Sequence, residues 1–337
     1  MSKTLLLAVS AHGLGHLGQT APLVVALQAY APSLRLVLLS SLPYATVRNF
    51  VPAGVEYLAS PGHATIAMRD PLRVDIETTR ERFIRWHQHY DEHCESYRKI
   101  LTELQPTLVI SNVDYTILSA ARQLGIPAVG MCSLNWADIL RPLMSDELMM
   151  SLCNDITQIY RQAEHFIRVT PGMTMSSLEN RVCVGPLARV GAHYSLPERL
   201  GLPGDARMVM FSLGGIEHNL DIAHWRLPEN TYCIVPDSVE SVSPQFIRIA
   251  DTGLEYIDAL ASVDVLVTKP GYGNFCESWK NRTAVIYLRR DQWPEEAVLL
   301  DWIHAHCPAV EIKRSEFAEG NLCAALTRLQ ALSVPFS

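Results

Sequence analysis

The sequence predicts an α/β protein built from two doubly wound, Rossmann-like parallel sheets that face each other across a cleft. Three observations carry this prediction. Short apolar runs recur without polar alternation, the mark of strands buried on both faces. Helix-length stretches separate these runs, as parallel strands require. Glycine-bearing turns follow a strand at three places: Gly13-Leu14-Gly15, Gly214-Gly215 and Gly271-Tyr272-Gly273.

Residues 5–9 (LLLAV) are the first strand, closed by a glycine turn that opens a helix. Strands are expected next at 34–40, 55–58, 107–111 and 128–132, the last entered through the turn Gly125-Ile126-Pro127. A long polar helix covers 76–104, and a helix at 144–163 leads into a strand at 165–169. Residues 184–203 carry Gly185, Pro186, Gly191, Pro197, Gly201 and Pro203, the punctuation of a linker. The pattern then restarts, with strands at 208–213, 232–235, 246–249, 263–268 and 284–288. Helices are expected at 255–261, from Asn274 through Lys280, and at 295–304. Two domains follow, 1–186 and 187–337.

Composition narrows the function classes. With 48% hydrophobic and only 19% charged residues, much of the 337-residue chain must be buried. A net charge of -7 disfavours a general nucleic-acid binder but allows a local phosphate cradle. Eight cysteines without a C-x-x-C pair fit reduced thiols in a cytoplasmic protein. No run approaches the ~20 apolar residues of a transmembrane segment.

The opening turn, Gly13-Leu14-Gly15-His16-Leu17-Gly18, spells G-x-G-x-x-G. A dinucleotide site also needs an acid about 20 residues on, to hold the ribose. The second strand ends instead in Leu39-Ser40-Ser41-Leu42-Pro43, which weakens an NAD(P)-dependent oxidoreductase. His12 and His16 bracket the glycines where a strand gives way to a helix. A neutral imidazole there can accept a proton, and the rate is expected to rise through a pKa in the neutral range. The bland alternative is a helix-capping histidine.

The second domain carries its own candidates. Gly271, Gly273 and Asn274 form a turn at a helix start, where free N–H groups suit a diphosphate. Glu277, one turn on, can accept from a ribose diol, and Asp291-Gln292 follow a strand with the acceptors and donors that sugar hydroxyls need. Ser212-Leu213-Gly214-Gly215 can bring backbone amides against a phosphate. A solvated charge, a helix cap and an ordinary turn are the respective alternatives. His87, His89 and His93 lie on the polar helix, and a solvated face accounts for them better than a metal site. Trp86, Tyr90 and Tyr97 there fit core packing better than an acceptor surface.

Taken together, the G-x-G-H loop, the S-L-G-G turn and P-G-Y-G-x-x-x-E followed by D-Q resemble the GT-B glycosyltransferases of families 1 and 28. The latter include the bacterial peptidoglycan N-acetylglucosaminyltransferases. The loop, "SNVDYTILSAARQLGIPAV" and "GYGNFCESWKNRTAVIYLRRD" also resemble the glycosyltransferase-like N-terminal part of L-arabinokinases. The resemblance implies an inverting, metal-independent transferase with an acceptor-side first domain and a donor-side second domain. The extreme C-terminus would then pack back on the first domain. His16 would deprotonate the acceptor hydroxyl, on a lipid-linked or small molecule. The glycine turns would hold the nucleotide diphosphate, Glu277 the ribose, and Asp291 and Gln292 the sugar of a donor, by resemblance a UDP-sugar. The nucleotide sugar is a substrate, and no cofactor is implied. Two departures stand out. The aspartate that supports the base in the family falls at Asn112, leaving Asp114 as a substitute. The stretch 217–231 is short and polar where relatives have a full helix. A sugar-nucleotide-binding module without turnover is therefore the main alternative, and a sugar-nucleotide 2-epimerase a further one.

Overall fold

The computed structural model describes residues 3–214, 225–239, 243–332 and 336. Gly215 and most of 217–231 lie outside the described residues. The chain divides into two compact units. The first comprises Met1–Arg69, Val74–Leu187 and Gln292–Glu295; the second comprises Asp70–Arg73, Ala188–Asp291 and Glu296–Ser337. The main division lies between Leu187 and Ala188, and each unit takes one four-residue segment from the other half of the sequence. Residues 333–335 and 337 of the extreme C-terminus lie outside the described residues.

The first unit is built on seven parallel strands: β1 (Thr4–Val9), β2 (Arg35–Ser40), β3 (Glu56–Ala59), and, beyond the two-stranded β4 (Met68–Asp70) and β5 (Arg73–Val74), β6 (Leu108–Asn112), β7 (Ala128–Cys132), β8 (His165–Val169) and β9 (Arg181–Val184). Their order is β3-β2-β1-β6-β7-β8-β9. All six residues of β1 are buried, as a central strand covered on both faces should be. Its neighbours are β2 and β6, with Leu6 beside both Val37 and Val109. Each such apolar side chain removed from water contributes roughly 1.5–3 kcal/mol.

The second unit repeats the scheme with β10 (Arg207–Ser212), β11 (Thr231–Val235), β12 (Phe246–Arg248), β13 (Val265–Thr268), β14 (Ala284–Tyr287) and β15 (Ala309–Glu311). The order is β12-β11-β10-β13-β14-β15, again parallel throughout. Separate clusters cover the two faces, one around Phe211, Val267 and Leu326, the other around Met210, Leu260 and Leu266. In both sheets strand order reverses at one place, beside β1 and β6 in one and β10 and β13 in the other. Crevices at the carboxyl ends of such strands are where open α/β sheets bind ligands.

Three local expectations change. The polar helix breaks into Ile76–Gln88 and Tyr90–Leu104, with His89 between them at φ -116° and ψ 26°. No glycine or proline marks the break; Trp86 and His93 stack across it at 3.4 Å, and Asp91 and Glu92 begin a new amino terminus. The glycine- and proline-rich stretch after β9 is no open linker but contains a helix, Leu196–Leu200. The helix after β13 starts at Tyr272, so Gly273 sits inside its first turn and Gly271 is the N-cap.

Candidate functional site

At the reversal point of the first sheet, Gly13 turns the chain with φ +66°, a conformation that glycine adopts without strain. The helix Gly15–Tyr30 starts two residues later and fixes His16 in its first turn. His16 is buried, and its Nδ1 lies 2.8 Å from Asn112 Oδ1 at the end of β6. The Asn112 amide is oriented by its other end, where Nδ2 donates to His16 O at 3.1 Å and Thr20 Oγ1 at 3.2 Å. Asn112 Oδ1 therefore faces the ring as an acceptor, so Nδ1 carries the proton and Nε2 keeps its lone pair. Burial pushes His16 down to about 4; the bond to Asn112 offsets this in part, and nearby His63 lowers it further. The neutral-range pKa expected from the sequence gives way to this lower value, because a buried ring with only a neutral amide beside it disfavours charge.

Asp114 does not reach this imidazole. Its Oδ1 caps the helix Tyr115–Gln123 through Thr116 N at 2.8 Å. Its Oδ2 accepts from Tyr97 OH at 2.5 Å and lies 3.6 Å from His63 Nδ1. His63 Nε2 meets Ser10 Oγ at 2.9 Å, and burial lowers this ring too, against the pull of Asp114. The residue that orients His16 is Asn112, at the position the family pattern marks, and the carboxylate two residues on serves the second histidine.

Around these rings Trp136 is fully buried, with its ring 5.7 Å from His16, 5.5 Å from His12 and 6.5 Å from His63. Its indole Nε1 meets no acceptor among the described residues. A buried donor left this way costs about 1–3 kcal/mol unless a ligand or water satisfies it. His12 also stacks on Trp293 at 5.8 Å, a residue of the segment Gln292–Glu295. Tyr97 is fully buried and Trp86 Nε1 bonds Thr116 Oγ1, so these aromatics are packing and bracing elements.

At the reversal point of the second sheet, Gly214 takes φ +84°, with its N–H 3.5 Å from Ser212 Oγ. Asn274 braces the two central strands: its Nδ2 donates to Thr268 Oγ1 at 2.6 Å and to Ser212 O at 3.3 Å. Gly271 provides no side-chain cap at the start of the helix Tyr272–Lys280, and a helix start of this kind suits an anion. Sequence reasoning passed over Lys269, directly after β13. A Cβ at Gly214 would lie 3.7 Å from its Cε, and its Nζ donates to Pro71 O at 3.0 Å. Burial and the nearby Arg290 lower this ammonium to about 7, against Asp70. The available signal was a lysine between a strand end and a glycine turn.

The carboxylates expected on the donor side have charged partners. Glu277 is buried in a bidentate pair with Arg189, whose Nε lies 2.6 Å from Oε1 and Nη2 3.2 Å from Oε2. Its charge is matched by the segment that enters the second unit. Asp291 is exposed and pairs with Arg314 at 2.7 Å, while Gln292 is exposed at φ 54° and belongs to the first unit. Among the described residues no group of three or more His, Cys, Asp or Glu is placed to hold a metal ion. No helix among them is long and apolar enough to cross a membrane.

No family model matches the chain. It is 25% identical over 248 residues to L-arabinokinase of Arabidopsis thaliana, covering 72% of this chain. The match spans only 24% of that relative's length. Among solved structures, the calicheamicin glycosyltransferase CalG4 is similar with a TM-score of 0.67 and 15% identity, covering 99% of this chain and 91% of that one. UGT2 of Phytolacca americana, complexed with UDP-2-fluoroglucose and pterostilbene, gives 0.60 at 14% identity, covering 97% and 89%. The protein has the GT-B glycosyltransferase fold.

Proposed function

We propose that the chain transfers a sugar, with inversion, from a UDP-sugar to an acceptor hydroxyl. The observation that carries this reading is the His16–Asn112 pair. It presents a neutral imidazole with an open Nε2 at the crevice end of the central strands. In this reading Nε2 takes the proton as the acceptor oxygen attacks the anomeric carbon from the face opposite the diphosphate. The Trp136 indole N–H is a donor available to that acceptor. The leaving diphosphate is held by the Gly214 amide, the first amides of the helix Tyr272–Lys280 and Lys269. Preorganised donors of this kind are each worth roughly 3–4 kcal/mol to a charged leaving group or oxyanion. The positive charge is supplied by Lys269 and backbone dipoles, without a metal ion. Asp291 and Gln292 remain the residues proposed for the donor sugar, and Glu277, paired with Arg189, the residue proposed for the ribose.

The second reading, a module that binds nucleotide sugars without turning them over, is favoured by Asn112 where the family pattern has a carboxylate. A thermal-shift screen against nucleotides and nucleotide sugars, followed by mass spectrometry for a glycosylated acceptor, separates the two. Stabilisation by uridine nucleotides together with product supports transfer. Stabilisation without product from any acceptor offered favours the module, and stabilisation by NAD or NADP alone overturns both.

A further inference from the structure

The family position that would hold the base's carboxylate is Asn112, yet the hydrogen bonds do not stop there. Asn112 Nδ2 also donates to Gln19 Oε1 at 3.3 Å. Gln19 Nε2 donates to Ser133 Oγ at 2.8 Å. Ser133 Oγ donates to Glu295 Oε1 at 2.6 Å, and Glu295 Oε2 accepts from Trp293 Nε1 at 3.2 Å. Gln19, Asn112, Ser133 and Glu295 are all buried.

The direction of the chain is fixed at both ends. The backbone carbonyl of His16 can only accept, which sets the Asn112 amide; Asn112 then donates to Gln19, which sets the second amide. Ser133, receiving from Gln19, has its own proton left for Glu295. Both oxygens of Glu295 receive donors, the pattern of an ionised carboxylate, and 2.6 Å suits a charge-assisted bond. One donor at each link from His16 Nδ1 onward therefore points toward one negative charge, while the other Asn112 N–H turns back to His16 O. Bonds aligned in this way polarise one another in a low-dielectric interior. The other ionisable groups near the ring are His63, His12 and the Cys132 thiol, whose Sγ is 3.5 Å from Nδ1; burial pushes that thiol up to about 12, so it stays uncharged. None of them brings a negative charge to the ring.

We propose that Glu295 is a positioning residue for His16, acting through Ser133, Gln19 and Asn112 in place of a directly bonded carboxylate. This rests on the reading of His16 as proton acceptor. Glu295 lies three residues after Gln292, so the segment proposed to hold the donor sugar also carries the charge that steadies the base.

Nitrogen-edited NMR of the His16 ring tests this without donor, acceptor or turnover. In the wild type the proton is expected on Nδ1, with a downfield resonance. Glu295→Gln and Ser133→Ala, which break the chain at different links, should each move that resonance upfield. In transfer assays both should lower kcat about tenfold with donor Kd unchanged within twofold, at the low end of the effect of partners that orient a metal-bound histidine. A wild-type proton on Nε2, or a Nδ1–H resonance identical in wild type and both variants, overturns the proposal. A resonance that moves in a protein that transfers no sugar upholds the chain and removes the transferase reading instead.

Discussion

Both sheets set a buried basic group where strand order reverses, but burial leaves the two groups in different states. In the first unit His16 is lowered to about 4 and is neutral throughout the physiological range. In the second, Lys269 is lowered to about 7, on the edge of gaining its charge. Desolvation acts on both, and the starting pKa decides the outcome. An imidazole pushed down keeps an open lone pair for a hydroxyl proton. A lysine pushed down to neutrality can take up a proton when an anion arrives. In the proposed function the same topology would thus provide a proton acceptor in one unit and a diphosphate cradle in the other.

The largest effect that would break this comparison is expected at His16. His16→Ala should slow transfer by ~10²–10⁴, the usual worth of positioned acid–base catalysis, with nucleotide affinity unchanged. The wild-type kcat should be flat from pH 6 upward and fall only toward about pH 4. A limb centred in the neutral range would assign proton transfer to another group, with His63 beside Asp114 the first to examine.

Next is the buried pair of the second unit. Removing one partner of such a pair typically costs about 3–5 kcal/mol. Glu277→Gln should therefore lower the urea midpoint of the nucleotide-free protein, since the Arg189 guanidinium loses its carboxylate. Unchanged stability would contradict the pair, and weakened nucleotide binding would support Glu277 at the ribose.

Acid should unfold the protein through its buried histidines. His16 and His87 are both lowered to about 4 by burial, and His63 is lowered as well. Their unfolded forms take up protons near pH 6.5, ahead of the folded forms. The stability they contribute is thus complete above pH 6.5 and is lost as pH falls toward about 4. At ~1.4 kcal/mol per pKa unit, His16 alone contributes on the order of 3 kcal/mol. Denaturant midpoints equal at pH 7 and pH 4.5 would contradict the burial of these rings.

The fold was legible because a strand buried on both faces must be apolar at every position. β1, β2 and β6 obey this along their central residues, whereas β9 is exposed along its length and β15 spans three residues, and neither shows such a run. The glycine turns were legible for a related reason: Gly13 and Gly214 take left-handed conformations that other residues disfavour. Side-chain partnerships were not. Glu277 meets Arg189 across 88 positions and Ser133 meets Glu295 across 162, distances at which spacing carries no information. Whether Asn112 or Asp114 faces His16 depends on two residues at a strand end, where the chain turns through Val113 at φ 72°. Lys269 looked like an ordinary lysine until Gly214 and Pro71 were placed around it.

The smallest expected effect bears most directly on the contrast between the two buried bases. Calorimetry of UDP binding at pH 8, in buffers of different ionisation enthalpy, counts protons taken up. Free Lys269 is mostly neutral at that pH and becomes charged against a diphosphate. The wild type should therefore take up close to one proton, and His16→Ala should do the same. Lys269→Met should bind UDP about tenfold more weakly, a loss of ~1.4 kcal/mol, with the uptake abolished. Uptake that persists in Lys269→Met, or that disappears in His16→Ala, would contradict the assignment of the anion to the second unit and of the proton acceptor to the first.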